Sequence, residues 1–203
     1  MAYDPVIKAT MMFGGAGDGS LTFSDTWIWR GNWFLTHPSV SPSPRQGLAM
    51  AYDGATGTVV LFGGCSNNSP SCTYYNDTWT WDGKIWTEQF PSVSPSPRTS
   101  YMAYDETTKS VVLFGGTNTT TTLGDTWIWD GVAKTWTEKS PAASPSARLA
   151  PMAFDRGTGS IVLFGGAPLP PYAYPLEAYG DTWTWNGTTW TQLAPANSPS
   201  SRS

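Results

Sequence analysis

Twelve tryptophans fall in four groups of three, and the residues around them return in the same order at intervals of about fifty positions. A chain so patterned has to build one small unit four times over. The units open at Met1-Ala2-Tyr3-Asp4, Met50-Ala51-Tyr52-Asp53, Met102-Ala103-Tyr104-Asp105 and Met152-Ala153-Phe154-Asp155. An apolar run follows and ends on Gly14-Gly15, Gly63-Gly64, Gly115-Gly116 or Gly165-Gly166. Then comes Asp-Thr-Trp-x-Trp, beginning at Asp25, Asp77, Asp125 and Asp181, and a third tryptophan at Trp33, Trp86, Trp136 or Trp190. Each unit closes on Ser-Pro-Ser-x-Arg, at Arg45, Arg98, Arg148 and Arg202. The repeats run approximately 1–49, 50–101, 102–151 and 152–203, and the whole is expected to be one domain over residues 1–203.

Inside a unit the pattern is that of short half-buried strands. In the second, Leu48 to Tyr52 and Thr58 to Phe62 are apolar runs separated by Asp53-Gly54-Ala55-Thr56-Gly57, a cluster that predicts a tight hairpin. Asp77 to Trp81 places Trp79 and Trp81 on one face, because residues two apart in a strand point the same way. Asp82-Gly83 offers a second turn, and Ile85 to Glu88 a fourth strand. No stretch keeps helical spacing, and 17 prolines with 21 glycines would interrupt a long helix. The expectation is an all-β chain, each unit one four-stranded antiparallel sheet of the propeller-blade type.

The run Val59-Val60-Leu61-Phe62-Gly63-Gly64, followed after a variable loop by Asp77-Thr78-Trp79-x-Trp81 and then Trp86, resembles the Kelch repeat, in which a double glycine after the second strand precedes spaced aromatics. Four copies in register extend the resemblance over essentially the whole chain. The first tryptophan of each Asp-Thr-Trp stands where Kelch motifs usually carry tyrosine, so packing between blades is expected to differ in detail. The resemblance implies a β-propeller of four Kelch-like blades around a central channel, and it implies no single activity. Kelch propellers more often have six or seven blades. Four whole units are expected either to close as a small ring, by packing of the first blade on the last, or to form half of an eight-bladed ring made by two chains.

Composition narrows the function. Charged residues are 13% of the chain, the net charge is −4, and 11 Lys and Arg in all give no basic patch for nucleic acid. The closing arginines, one per unit, are read as structural: they hydrogen-bond loop carbonyls or pair with a nearby Asp, fixing blade to blade. The repeated tryptophans, Trp27, Trp79, Trp127 and Trp183 among them, are read as packing residues. Cys65 and Cys72 share one loop at a distance suited to a disulfide, and two ligands alone would leave a metal site half made. A disulfide points to an oxidising compartment, and Asn76, Asn118 and Asn186 stand in glycosylation-type triplets, so the expected location is extracellular or at the cell surface. No signal peptide is expected from these residues, and they contain no apolar run long enough to span a membrane.

Catalysis finds little support. Copper radical oxidases on Kelch-type propellers need two histidines, and His37 is the only one here. Glu88, Glu138 and Glu177 share no repeat position, and the recurring Asp residues read as turn formers. No cofactor, metal or enzymatic activity is expected. Binding is better supported, because the scaffold repeats while the segments after each double glycine (16–24, 65–76, 117–124 and 167–180) differ. They carry Phe23, Tyr74, Tyr75, Leu123, Tyr172, Tyr174 and Tyr179, which suit a protein or glycan ligand or else cover the core. The first expectation is therefore a binding module using the face of long loops. The alternative is an assembly unit in which chains associate edge to edge, consistent with the identical Ser39–Arg45 and Ser92–Arg98 segments of recently duplicated units.

Overall fold

The computed structural model describes residues 1–18, 21–68, 71–168 and 178–202. Each unit is one antiparallel sheet with its strands in chain order. The first holds β1 (Ala2–Asp4), β2 (Ala9–Ala16), β3 (Thr22–Trp29) and β4 (Trp33–Thr36). The second holds β5 (Ala49–Asp53), β6 (Thr58–Phe62), β9 (Thr78–Trp81) and β10 (Trp86–Gln89), with a separate ribbon of β7 (Cys65–Asn68) and β8 (Ser71–Tyr74) inserted after β6. The third comprises β11 (Thr99–Asp105), β12 (Ser110–Thr117), β13 (Thr122–Asp130) and β14 (Thr135–Lys139). The fourth comprises β15 (Met152–Asp155), β16 (Ser160–Phe164), β17 (Thr182–Trp185) and β18 (Trp190–Leu193).

The second strand of each unit is a continuous apolar run because both of its faces are covered. Val59 and Leu61 of β6 join a cluster with Met11 and Phe13 of the first unit, while Val60 and Phe62 join one with Val111, Leu113 and Trp129 of the third. Val112 and Phe114 then meet Ile161, Leu163 and Trp185 of the fourth. The core is thus three slabs, one between each pair of successive sheets, and the tryptophans of the second, third and fourth units face the unit before. Trp81, Trp129 and Trp185 lie at 1% exposure or less.

Turns are set by their residues. In the first hairpin of each unit the opening Asp accepts backbone N–H groups, as Asp53 does from Ala55 and Asp105 from Thr107 and Thr108. The last turn residue has a positive φ: glycine at Gly57 and Gly159, but lysine at Lys8 and Lys109. A left-handed non-glycine residue is disfavoured by about 1–2 kcal/mol, and glycine gives back roughly half of this through the freedom of its unfolded chain. Lys109→Gly is therefore expected to stabilise the protein by about 0.5–1 kcal/mol, read as a raised denaturant midpoint at unchanged slope.

The double glycine has a specific task. Both residues adopt positive φ, 57° and 113° at Gly115 and Gly116, and the chain bulges out of register there. That opening admits the closing segment: Gly116 N–H donates to Arg148 O, and Arg148 N–H donates to Leu123 O. Arg148 then reaches forward into the fourth unit. Its guanidinium grips Asp181 with both terminal nitrogens and donates to Gly165 O at 3.0 Å. Arg45 makes the same bonds to Asp77 and Gly63, and Arg98 to Asp125 and Gly115. Each arginine therefore pins its own unit through its backbone and the next unit through its side chain.

Closure of the four sheets into a ring is not seen. Among the described residues no apolar cluster joins the fourth sheet to the first. Trp29 and Trp33 of the first unit are 41% and 43% exposed, and Val162 and Phe164 of the fourth are half-buried.

Candidate binding face

Successive strands alternate in direction, so the connections between second and third strands share one face with the segments that lead from one unit to the next. Among the described residues, the variable segments of the first three units carry hairpin extensions of the sheet or beside it. β2 and β3 pair as far as Ala16 and Thr22, and β12 and β13 as far as Thr117 and Thr122, where Asn118 Oδ1 caps the turn by accepting the N–H groups of Thr120 and Thr121. Continued pairing satisfies the backbone of a segment that projects from the sheet. In the second unit the extension is the β7–β8 ribbon, cross-linked by a Cys65–Cys72 disulfide with Cα atoms 5.7 Å apart and paired to the unit-linking segment through Gln46 and Cys65.

Beside this ribbon lies a notch of about 210 Å³ lined by Gln46, Leu48, Cys65, Thr99, Ser100, Tyr101 and Leu149. Its walls are the segments entering the second, third and fourth units. Tyr101 is 45% exposed, whereas Ser100 is buried and its Oγ has no hydrogen-bond partner. A buried hydroxyl without a partner is destabilising unless something entering the cavity satisfies it. The volume falls below the range of about 300–1,000 Å³ usual for small-molecule pockets. It suits one inserted side chain.

The residues singled out on the variable segments separate into two groups. Phe23, Tyr75, Leu123 and Tyr179 occupy a single repeat position two residues before the repeated Asp, and their carbonyls accept from the closing arginines. The Arg45 guanidinium stacks on Tyr75 at 4.1 Å and that of Arg148 on Tyr179 at 3.8 Å, so both rings belong to the clamps between units. Tyr74, on β8, is half-buried and pairs with Cys65 at the edge of the notch. Tyr172 and Tyr174 lie outside the described residues. Trp79 and Trp127 are buried, and Trp27 and Trp183 half-buried; each donates its indole N–H to the Asp two residues earlier. Arg45, Arg98 and Arg148 are buried, while Arg202 is exposed. Sequence reasoning passed over Ser100 and Tyr101, which it would have assigned to an ordinary opening strand.

The opposite face carries the short turns and, between the first strands of the units, a cavity of about 520 Å³ lined by Tyr3, Met50, Tyr52, Met102, Tyr104 and Phe154. It is larger than the notch, but its repeated lining is that of the scaffold. Burial, and then the charges of Asp53 and Glu106, push the Tyr104 hydroxyl above its ordinary value, so it stays a neutral donor. Arg156 and Glu106 form an exposed ion pair at the rim. His37 is exposed, Glu88 and Glu138 lie on the outer strands β10 and β14, and Glu177 falls outside the described residues. Among the described residues no three potential metal ligands cluster, and no helix is long and apolar enough to cross a membrane.

Four repeats of one sheet, each marked by a double glycine that admits an arginine clamp, define the scaffold. A profile of the KLHDC2/KLHL20/DRC7 Kelch-repeats domain matches residues 5–203. The chain belongs to the Kelch-repeat family. A comparison with curated proteins gives no match. Kelch domains are generally protein-interaction modules and typically non-enzymatic, and the Kelch repeats here present a face of hairpins with a notch.

Proposed function

We propose that this Kelch domain binds a protein partner through the face of long hairpins, with the notch between Leu48 and Tyr101 receiving one side chain of the partner. The observation that carries the reading is a largely apolar notch beside the exposed Tyr101, with Ser100, whose buried hydroxyl has no partner, in its wall. A partner side chain with an apolar stem and a polar tip would cover Tyr101 and satisfy Ser100 together. The disulfide-tied ribbon holds one wall, with Tyr74 at its edge, so little freedom is lost on binding. The same disulfide supports an oxidising location, outside the cell or at its surface.

The test is selection of peptides from a displayed random library against the intact protein, followed by binding measurements on variants. Tyr101→Ala is expected to weaken the selected peptides by tenfold or more, roughly the effect of a hot-spot aromatic, with an unchanged melting temperature. Ser100→Ala should weaken only those peptides that carry a polar tip. Binding retained by both variants would sink the reading. Failure to select peptides, alongside retention of defined oligosaccharides on a glycan array, would replace it with a sugar-binding one.

A further inference from the structure

We infer that the side chain received by the notch is an unphosphorylated tyrosine, an inference that rests on the binding function proposed above. The lining excludes the other classes of anchor one after another.

Charged anchors fail first. None of the residues lining the notch is Lys, Arg, His, Asp or Glu. An arginine precedes each lining segment, yet all three are buried and already bound: Arg45 to Asp77, Arg98 to Asp125 and Arg148 to Asp181. A carboxylate or phosphate entering the notch would therefore find no cation, and an ammonium or guanidinium no anion. Burying a charge without a partner is far costlier than burying a neutral polar group.

Aliphatic anchors fit the walls but not the polar groups. Leu48, Leu149 and the disulfide-bonded Cys65 supply apolar surface. Ser100 is 3% exposed and its Oγ makes no hydrogen bond, while the half-buried Gln46 brings a carboxamide that both donates and accepts. The scaffold does not require the Ser100 hydroxyl. Ser100 lies against Gly116 as Leu48 lies against Gly64 and Ala150 against Gly166, so the second and fourth units fill the same place with apolar side chains. An anchor without a polar tip would leave that hydroxyl unmatched.

Among neutral side chains with a polar tip, tyrosine meets both requirements. Its ring is flat, has only two torsions to fix, and packs against the ring of Tyr101, which is 45% exposed beside the notch. Its hydroxyl donates and accepts, so it can serve Ser100 and Gln46 together, whereas an indole N–H only donates. Asparagine and glutamine lack the ring, and glutamine loses more rotamer freedom on binding. The volume of about 210 Å³ has room for one such side chain. A phosphate on the same oxygen would add about two negative charges against neutral walls.

The test is a displayed random-peptide library selected against the intact protein, followed by synthetic peptides of one selected sequence. The expected result is a tyrosine shared by the selected peptides that Tyr101→Ala weakens. Phenylalanine in its place should weaken the synthetic peptide about tenfold, the effect of one hydrogen bond lost. Lysine, glutamate or phosphotyrosine there should weaken it on the order of a hundredfold or more. Against Ser100→Ala the gap between the tyrosine and phenylalanine peptides should narrow to about threefold or less, which a purely structural role of Ser100 would not produce. Peptides that depend on Tyr101 but share a leucine, lysine or glutamate overturn the tyrosine anchor and leave the binding function standing. So does a gap of the same size in the wild type and in Ser100→Ala. Selected peptides indifferent to Tyr101→Ala, or no selected peptides, bring down the binding function and the anchor with it.

Discussion

Alanine at Arg98 is expected to lower the unfolding free energy by about 3–5 kcal/mol, the range for removing one partner of a buried ion pair. The guanidinium is 1% exposed and serves two units at once. Its loss frees Asp125 and strips the Gly115 carbonyl and the Ser96 carbonyl and hydroxyl of a donor. Arg98→Lys should recover less than half of the loss, since an ammonium cannot reproduce a two-pronged grip. Arg156→Ala is the control: that pair with Glu106 lies 80% and 42% exposed, is screened by solvent, and its loss should leave stability almost unchanged. Urea unfolding of the three variants gives the comparison, and acid gives a second readout. Burial alone would raise the Asp125 carboxyl, but hydrogen bonds and charge from Arg98 outweigh it and hold the group below its ordinary value; Arg148 and Trp183 do the same for Asp181. A carboxyl depressed in the folded state stabilises fully above its unfolded value, and that stabilisation fades as pH falls through the folded one. Melting temperature should therefore drop on the acid side of the carboxylate range, and drop less steeply in Arg98→Ala.

The scaffold was legible because its signals are local and repeated. Thr58 to Phe62 is a strand with those bounds, Asp77 to Trp81 begins one residue before β9, and Ile85 to Glu88 is displaced from β10 by one residue at both ends. Alternation fixed which residues share a face, and repetition of Arg and Asp at constant positions announced a clamp between units. Repetition alone did not say which unit holds which, since the partners stand 27 to 33 residues apart in the chain. Tyr75 and Tyr179 were read as divergent tips although their constant offset from the repeated Asp marks a scaffold position; the varied side chains there, Phe23 and Leu123 among them, concealed it. Ser100 and Tyr101 carry no sequence signal. What distinguishes them is a cavity formed by three units meeting, and its lining has no pattern along one strand.

Trp136→Ala and Trp33→Ala change the same repeat position and should differ by several kcal/mol. Trp136 is 4% exposed, packs edge to face on Phe62, lies 5.3 Å from Trp129 and donates to Thr78. Truncation removes that ring, leaves a cavity between two sheets and orphans a buried hydroxyl, for an expected loss of about 3–5 kcal/mol. Trp33 touches Trp29 of its own sheet and is otherwise open, so in a dilute, separated chain its truncation should cost less than about 1 kcal/mol.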